Sequence, residues 1–362
     1  MGQHCPCASV RDRSGALFGS PPLQHAHRIR LDVAIEDSPT SDNLLVFRSN
    51  FKGFHKVDNV SQLYSFEKVI GAGVFGKVYE ATHLAARQKC ALKVISKARM
   101  SEDRVHEDLL KQELAALERI SHPYIVRVMD LFEDDQSIYV ALELLPHGNL
   151  IQVLSKIRKC GASFTERDAA NLVWQMLLAV SYVHEAGMIH RDIKMENVMV
   201  DMRPSKGDPN SADMVCKLSD FGFACMADTV DDHLSCGTPL YMAPEMIEAN
   251  GYDQKVDIWS LGVIVFAMLT STFPFNARNK QLIFAQILSK KTEPAYGLLE
   301  KYWDGGQLVK DFVRRCLDKN PRSRWSAQEL LEHPWLQAMV DETHLDNVQL
   351  VDTGLALFKF KS

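Results

Sequence analysis

Three glycines stand at Gly71-x-Gly73-x-x-Gly76 in "VIGAGVFGKV", a spacing that suits a loop closing over phosphate groups. Alone, the spacing is shared by dinucleotide-binding folds and by glycine-rich turns that hold no ligand. Dinucleotide folds place a helix directly after the glycines, whereas here the residues that follow have a strand's composition, which favours a hairpin. Four further motifs follow in order: Ala91-Leu92-Lys93, "HRDIKMEN" from His190 to Asn197, "DFG" from Asp220 to Gly222, and "APE" from Ala243 to Glu245. Lysine, carboxylate and amide side chains at such fixed separations are types able to hold phosphate groups and neutralise their charge.

Those residues need a scaffold, and the apolar pattern supplies one. Phe66, Val69 and Ile70 precede the glycines and Val78, Tyr79 and Ala81 follow them, so the glycines sit in a turn between two strands. "KCALKVISK" is a third strand carrying Lys93, and "EDLLKQELAALERI" has helical spacing. From about residue 149 helices dominate. "TERDAANLVWQMLLAVSYVHEAG" sets Ala170, Val173, Met176, Leu177, Val180 and Val183 on one helical face, with Thr165 as N-cap and Asp168 closing a capping box. "MVDMRPSKGDPNSADMVCKLSD" has two short strands joined by a polar insert. The expectation is an α+β, bilobal chain. Residues 1–63 form an extension, 64–145 a mainly β lobe with one key helix, 146–336 a larger helical lobe and 337–362 a tail.

At 362 residues with a formal net charge of −5, the chain is a poor bulk binder of nucleic acid. Eight cysteines without repeated spacing point to a reducing compartment. The apolar run "LGVIVFAML" is too short to span a bilayer, and the N-terminus lacks a secretory pattern. A cytoplasmic protein is the expectation. Gly2 offers a myristoylation acceptor, and Cys5 and Cys7 offer palmitoylation acceptors, which would give membrane contact. Pro6 stands where that motif prefers Ser or Thr, and an ordinary start with two incidental thiols is the competing reading.

The five motifs, in this order and at these separations, resemble the eukaryotic protein-kinase family over about residues 64 to 336. The resemblance implies a bilobal kinase fold and transfer of the γ-phosphate of ATP to protein hydroxyls, with Mg²⁺. Residues Ile70, Gly71, Ala72, Gly73, Val74, Phe75, Gly76, Lys77 and Val78 would cover the nucleotide. Lys93 would contact its phosphates, oriented by Glu113. Ile70, Val78 and Ala91 would lie above the adenine and Met199 below. Backbone groups of Glu143 and Leu145 would meet its edge, with Leu142 at the back of the pocket. Asp192 would accept or orient the substrate hydroxyl, and Lys194 would stabilise the transferring phosphoryl group. Asn197 and Asp220 would hold the metal, whose binding depends on ATP because two protein oxygens alone make a poor site.

Lys194 and Thr238 resemble the serine/threonine branch, and Phe223 implies serine over threonine. "GYDQKVDIWSLGVIVFAMLTSTFPF" and "LDKNPRSRWSAQELLEHPW" are similar to the calcium/calmodulin-dependent kinase group, where Asp257 would brace the catalytic loop and Arg324 would pair with Glu245. A glycine start and an extension before a kinase domain also resemble calcium-dependent protein kinases, but no stretch has EF-hand ligand spacing. Asn149 replaces the Glu that receives a substrate arginine in basophilic members, leaving Glu196 as the partner for a basic residue, and Met195 replaces a proline. Arg191 is the cation that many such kinases satisfy with a phosphate on the segment ending in "APE"; here Asp231 or Asp232 would supply that charge, since Leu234 occupies the usual position and Thr229 or Ser235 is the alternative. The competing function is a pseudokinase or scaffold that binds ATP and partners without catalysis.

Overall fold

The computed structural model describes residues 55–72, 76–98, 120–160, 164–204, 212–227, 237–249, 251–302 and 306–340. The first lobe is a six-stranded sheet made of β1 (His55–Lys56), β2 (Tyr64–Ala72), β3 (Gly76–His83), β4 (Gln88–Ser96), β5 (Val128–Glu133) and β6 (Ser137–Glu143), in the order β1-β5-β6-β4-β3-β2. β2 and β3 pair antiparallel across the glycine segment, as the apolar pattern requires. Strand alternation then sorts the side chains. Tyr64, Ala81, Cys90, Leu92, Met129, Phe132, Tyr139 and Ala141 form one cluster, with Phe132 stacked between Tyr64 and Tyr139. Lys93 falls on the opposite face from its neighbour Leu92.

Residues 55–63, placed in the extension by sequence, add to this sheet. β1 runs parallel to β5 with His55 opposite Phe132 and Lys56 opposite Glu133, and the Val57 amide donates to the Glu133 carbonyl at 2.8 Å. Asn59 caps a 3₁₀ turn at Val60–Gln62, and Val57, Val60 and Leu63 pack against the aromatic cluster. Two paired residues carry no readable period, so the strand leaves no trace in the sequence. Partial burial of three apolar side chains contributes on the order of 2–4 kcal/mol. A chain beginning at residue 64 is therefore expected to melt roughly 5 °C or more below one beginning at residue 55. Equal melting temperatures would remove any stabilising part for this strap.

The second lobe is mainly helical: α1 (Leu150–Lys159), α2 (Glu166–Glu185), α3 (Pro244–Glu248), α4 (Lys255–Thr270), α5 (Lys280–Leu288), α6 (Gly297–Tyr302), α7 (Gln307–Cys316), α8 (Ala327–Leu331) and α9 (Pro334–Met339). Thr165 caps α2, its hydroxyl accepting from the Asp168 amide while the Asp168 carboxylate accepts from the Thr165 amide, which is the expected capping box. The six predicted face residues of α2 are buried, but so are Ala169, Leu172, Trp174, Leu178 and Ala179, because other elements enclose the helix on more than one side. α4 is buried from Val256 to Thr270 and contains "LGVIVFAML", so that run is core. Gly262 lets α4 meet α7 closely: a Cβ there would stand 2.5 Å from that of Cys316. Among the described residues no helix is long and apolar enough to cross a membrane.

The short strands of this lobe position the chemistry. β7 (Met188–Ile189) pairs with β10 (Cys225–Met226), and β8 (Val198–Pro204) forms a hairpin with β9 (Ala212–Leu218). The catalytic-loop motif lies between β7 and β8, and "DFG" lies between β9 and β10.

Candidate active site

Asp257, on α4 and 1% exposed, organises the loop from below. Its carboxylate accepts from the backbone amides of His190 and Arg191, both at 2.9 Å, and His184 Nε2 lies 2.9 Å from the same group. These bonds hold Arg191 at φ +67°, a left-handed conformation that a side-chain-bearing residue adopts only under constraint. Burial works against the charge on Asp257, yet the hydrogen bond and charge of His184, with further help from His190, hold its carboxyl below the usual carboxylate range. A depressed carboxylate contributes stability that is complete above its unfolded value and is lost as pH falls through the folded one. The stability gap between wild type and Asp257→Asn should thus be constant from pH 7 to 5 and shrink only below about pH 4. A gap that already changes between pH 7 and 5 in chemical denaturation would assign the effect to another titrating group.

Above that brace, Asp192 is 5% exposed and engaged on both oxygens. Lys194 Nζ donates to Oδ2 at 2.6 Å, Asn197 Nδ2 donates to the same oxygen at 3.1 Å, and Thr238 Oγ1 donates to Oδ1 at 3.2 Å. Lys194 also donates to Thr238 Oγ1 at 3.2 Å, and Asn197 donates to the Asp192 carbonyl at 2.9 Å. Because the Asn197 amide nitrogen is spent on Asp192, its Oδ1 is the atom able to face a cation.

Asp220 takes φ +62° and the Phe221 ring packs tilted against that of His190 with centroids 4.6 Å apart, which seats "DFG" against the catalytic loop. The Asp220 side chain is 50% exposed and lies 3.5 Å from Lys93 Nζ. Desolvation opposes its charge, but Lys93, His190 and Lys194 outweigh that and hold its carboxyl below the usual range. It is an anion at neutral pH, as an oxygen ligand for a hard divalent cation must be.

Strand register brings four of the expected residues onto one face. Val78 is opposite Lys93, Ala91 is opposite Leu142 and Gly71 is opposite Val78, so Val78, Ala91, Lys93 and Leu142 share one face of the sheet. Ile70 is 42% exposed, Ala72 and Lys77 are exposed, and Leu145 is buried. At Gly76 a Cβ would come within 1.8 Å of the Val94 carbonyl, so this glycine serves strand contact. Met199 lies on β8, across from Lys217. Gly73, Val74, Phe75 and Glu113 lie outside the described residues, as do Gly2, Cys5, Cys7, Thr229, Asp231, Asp232, Leu234 and Ser235.

Sequence reasoning missed the contacts of three residues. The Thr238 hydroxyl joins Asp192 to Lys194. Glu143, considered only for its backbone, accepts through Oε1 from Lys217 Nζ at 2.6 Å and from the Arg127 amide at 2.7 Å. Asn149 is a helix cap, its Oδ1 accepting from the Gln152 amide at 3.0 Å while its own amide donates to Gln152 Oε1 at 3.1 Å. The spacing Asn149-x-x-Gln152 was the available signal for the last of these.

The family model for the protein kinase domain matches residues 64–336. The chain is a protein kinase. The kinase is 35% identical over 293 residues to myosin light chain kinase A of Dictyostelium discoideum, covering 80% of this chain and 94% of that one. It is also 35% identical over 296 residues to calcium/calmodulin-dependent protein kinase type 1B of Rattus norvegicus, covering 81% of each. Serine/threonine-protein kinase H1 homolog of Danio rerio is 32% identical over 347 residues, 93% of this chain and 78% of that relative, an alignment longer than the domain match. The chain is a serine/threonine protein kinase, as the resemblance implied, and its relatives set it beside the calcium/calmodulin-dependent kinase group. Kinases of this family act on proteins and generally use ATP and Mg²⁺. The donor set fits that pair: an ionised, half-exposed Asp220, an amide oxygen on Asn197, and the cations Lys93 and Lys194 nearby.

Proposed function

We propose that this kinase transfers the γ-phosphate of ATP to protein hydroxyls, serine before threonine, with Asp192 orienting the hydroxyl and taking its proton. The observation that carries the reading is the Asp192 constellation. Lys194, Asn197 and Thr238 fix both carboxylate oxygens, so the acceptor is held in one geometry before substrate arrives. Lys194 places positive charge where negative charge develops on the transferring group. Lys93 holds the phosphates from the sheet side, and Val78, Ala91 and Leu142 supply an apolar face for the base. Mg²⁺, held by Asn197, Asp220 and the nucleotide's phosphates, would supply charge neutralisation.

Substrate choice follows from Asn149. Its side chain is neutral and committed to the start of α1, so it offers an arginine neither charge nor a vacant acceptor geometry. Glu196, exposed beside the catalytic residues, is the remaining carboxylate in the catalytic loop for a basic residue. Phosphorylation of a randomised peptide library by the full chain is expected to favour serine at the acceptor position and to show only weak selection for arginine upstream. Strong arginine selection at one upstream position, or a preference for threonine, would overturn the respective half of this proposal.

A further inference from the structure

Glu143 ends β6, and its carbonyl is where the adenine edge is proposed to bind. Its amide is already used, donating to the Arg127 carbonyl at 3.0 Å. Its side chain turns to the other lobe: Oε1 accepts from Lys217 Nζ at 2.6 Å. Lys217 lies on β9, in register with Met199, the proposed floor of the adenine site, and three residues before Asp220. The next residue, Leu218, donates to the Tyr124 carbonyl and accepts from the Val126 amide, both at 2.8 Å. One short piece of β9 is thus stitched to segment 124–127 and to the end of β6. The Lys217–Glu143 pair is the charged stitch in that seam, with side chains 11% and 21% exposed. So little solvent screens the pair weakly, and losing the lysine would leave a carboxylate half-buried against the Arg127 amide.

We propose that Lys217 is a positioning residue for the nucleotide: by gripping the Glu143 carboxylate it fixes the β6 end, and with it the Glu143 carbonyl, relative to Met199. The inference rests on the nucleotide reading above and goes beyond it, since no role in catalysis or binding falls to Lys217 there. A pair that only held the fold together would lower stability and the amount of active enzyme, without changing the ATP concentration at half-saturation. A pair that positions the adenine contact changes that concentration and leaves the phosphoryl step, which runs on Asp192 and Asp220, close to its original rate.

The test is steady-state kinetics of the full chain with a saturating peptide and varied ATP, together with melting temperatures. Lys217→Met is expected to raise the KM for ATP about five- to tenfold with kcat within about twofold. Lys217→Arg should return KM to within about twofold of wild type. Adding Lys217→Met to Glu143→Gln should raise KM no further than Glu143→Gln does alone, because the two changes remove one contact. Lys217→Gln, which keeps a donor of shorter reach, carries the same prediction at smaller size should the methionine variant fail to fold. An unchanged KM in these variants, or a loss confined to kcat and melting temperature, overturns the proposal while the nucleotide reading stands. A wild type that does not saturate with ATP overturns both.

Discussion

Asp192→Asn is expected to lower kcat by roughly 10²–10⁴-fold, the range that a positioned general base contributes. The substitution keeps shape and most of the local bonding. An amide oxygen can still accept from Lys194 and Asn197, and the amide nitrogen can donate to the Thr238 hydroxyl, which reverses the direction of that one bond. Fold and ATP binding should therefore persist, with a KM for ATP close to wild type, while the proton acceptor is gone. The phosphate contacts assigned to Lys93, and the metal oxygens of Asn197 and Asp220, are not touched by the change. Turnover within about fivefold of wild type would remove Asp192 from the chemistry.

Arg324→Met is expected to destabilise the fold by about 3–5 kcal/mol, the cost of breaking one side of a buried ion pair. Arg324 is 1% exposed and reaches Glu245 with two nitrogens, at 2.5 and 3.0 Å. It also donates to the carbonyls of Lys255 and Asp318, both at 2.9 Å, and lies over the Trp259 ring. One side chain thus joins the "APE" helix α3, the start of α4 and the loop after α7. Removing it strands the Glu245 carboxylate, which is 6% exposed, away from bulk solvent and without its cationic partner. Glu245→Leu in the same chain should recover part of the loss, because the stranded charge rather than the missing attraction dominates. Equilibrium urea unfolding of the single and double variants measures both numbers. Simple additivity would mean that the pair is not coupled.

What was legible in the sequence follows from what chemistry and periodicity impose. The order of Lys93, Asp192, Asn197 and Asp220 could be read because the residue types and separations recur as one motif set. The glycine hairpin could be read because apolar clusters flank it. The capping box at Thr165 follows from residue spacing, whereas the pairing of Arg324 with Glu245 is implied only by the family resemblance. Other features had no local signal. β1 is two residues long, and its partner strand lies more than seventy residues away. α4 is apolar all round, so periodicity cannot show which side meets α7. The Glu143–Lys217 pair and the Thr238 bonds join residues brought together only by the closed fold, across 74 and 44–46 positions. The helix-capping role of Asn149, by contrast, is written in its spacing from Gln152.

The most direct measurement of the central claim is transfer of γ-labelled phosphate from ATP to a mixed protein substrate by the purified full chain, followed by phosphoamino-acid analysis. The account predicts label on serine, with less on threonine and none on tyrosine, abolished by chelating Mg²⁺ and by Asp192→Asn. A chain that binds ATP with Mg²⁺ present yet labels no substrate, or whose labelling is unchanged in Asp192→Asn, would contradict it.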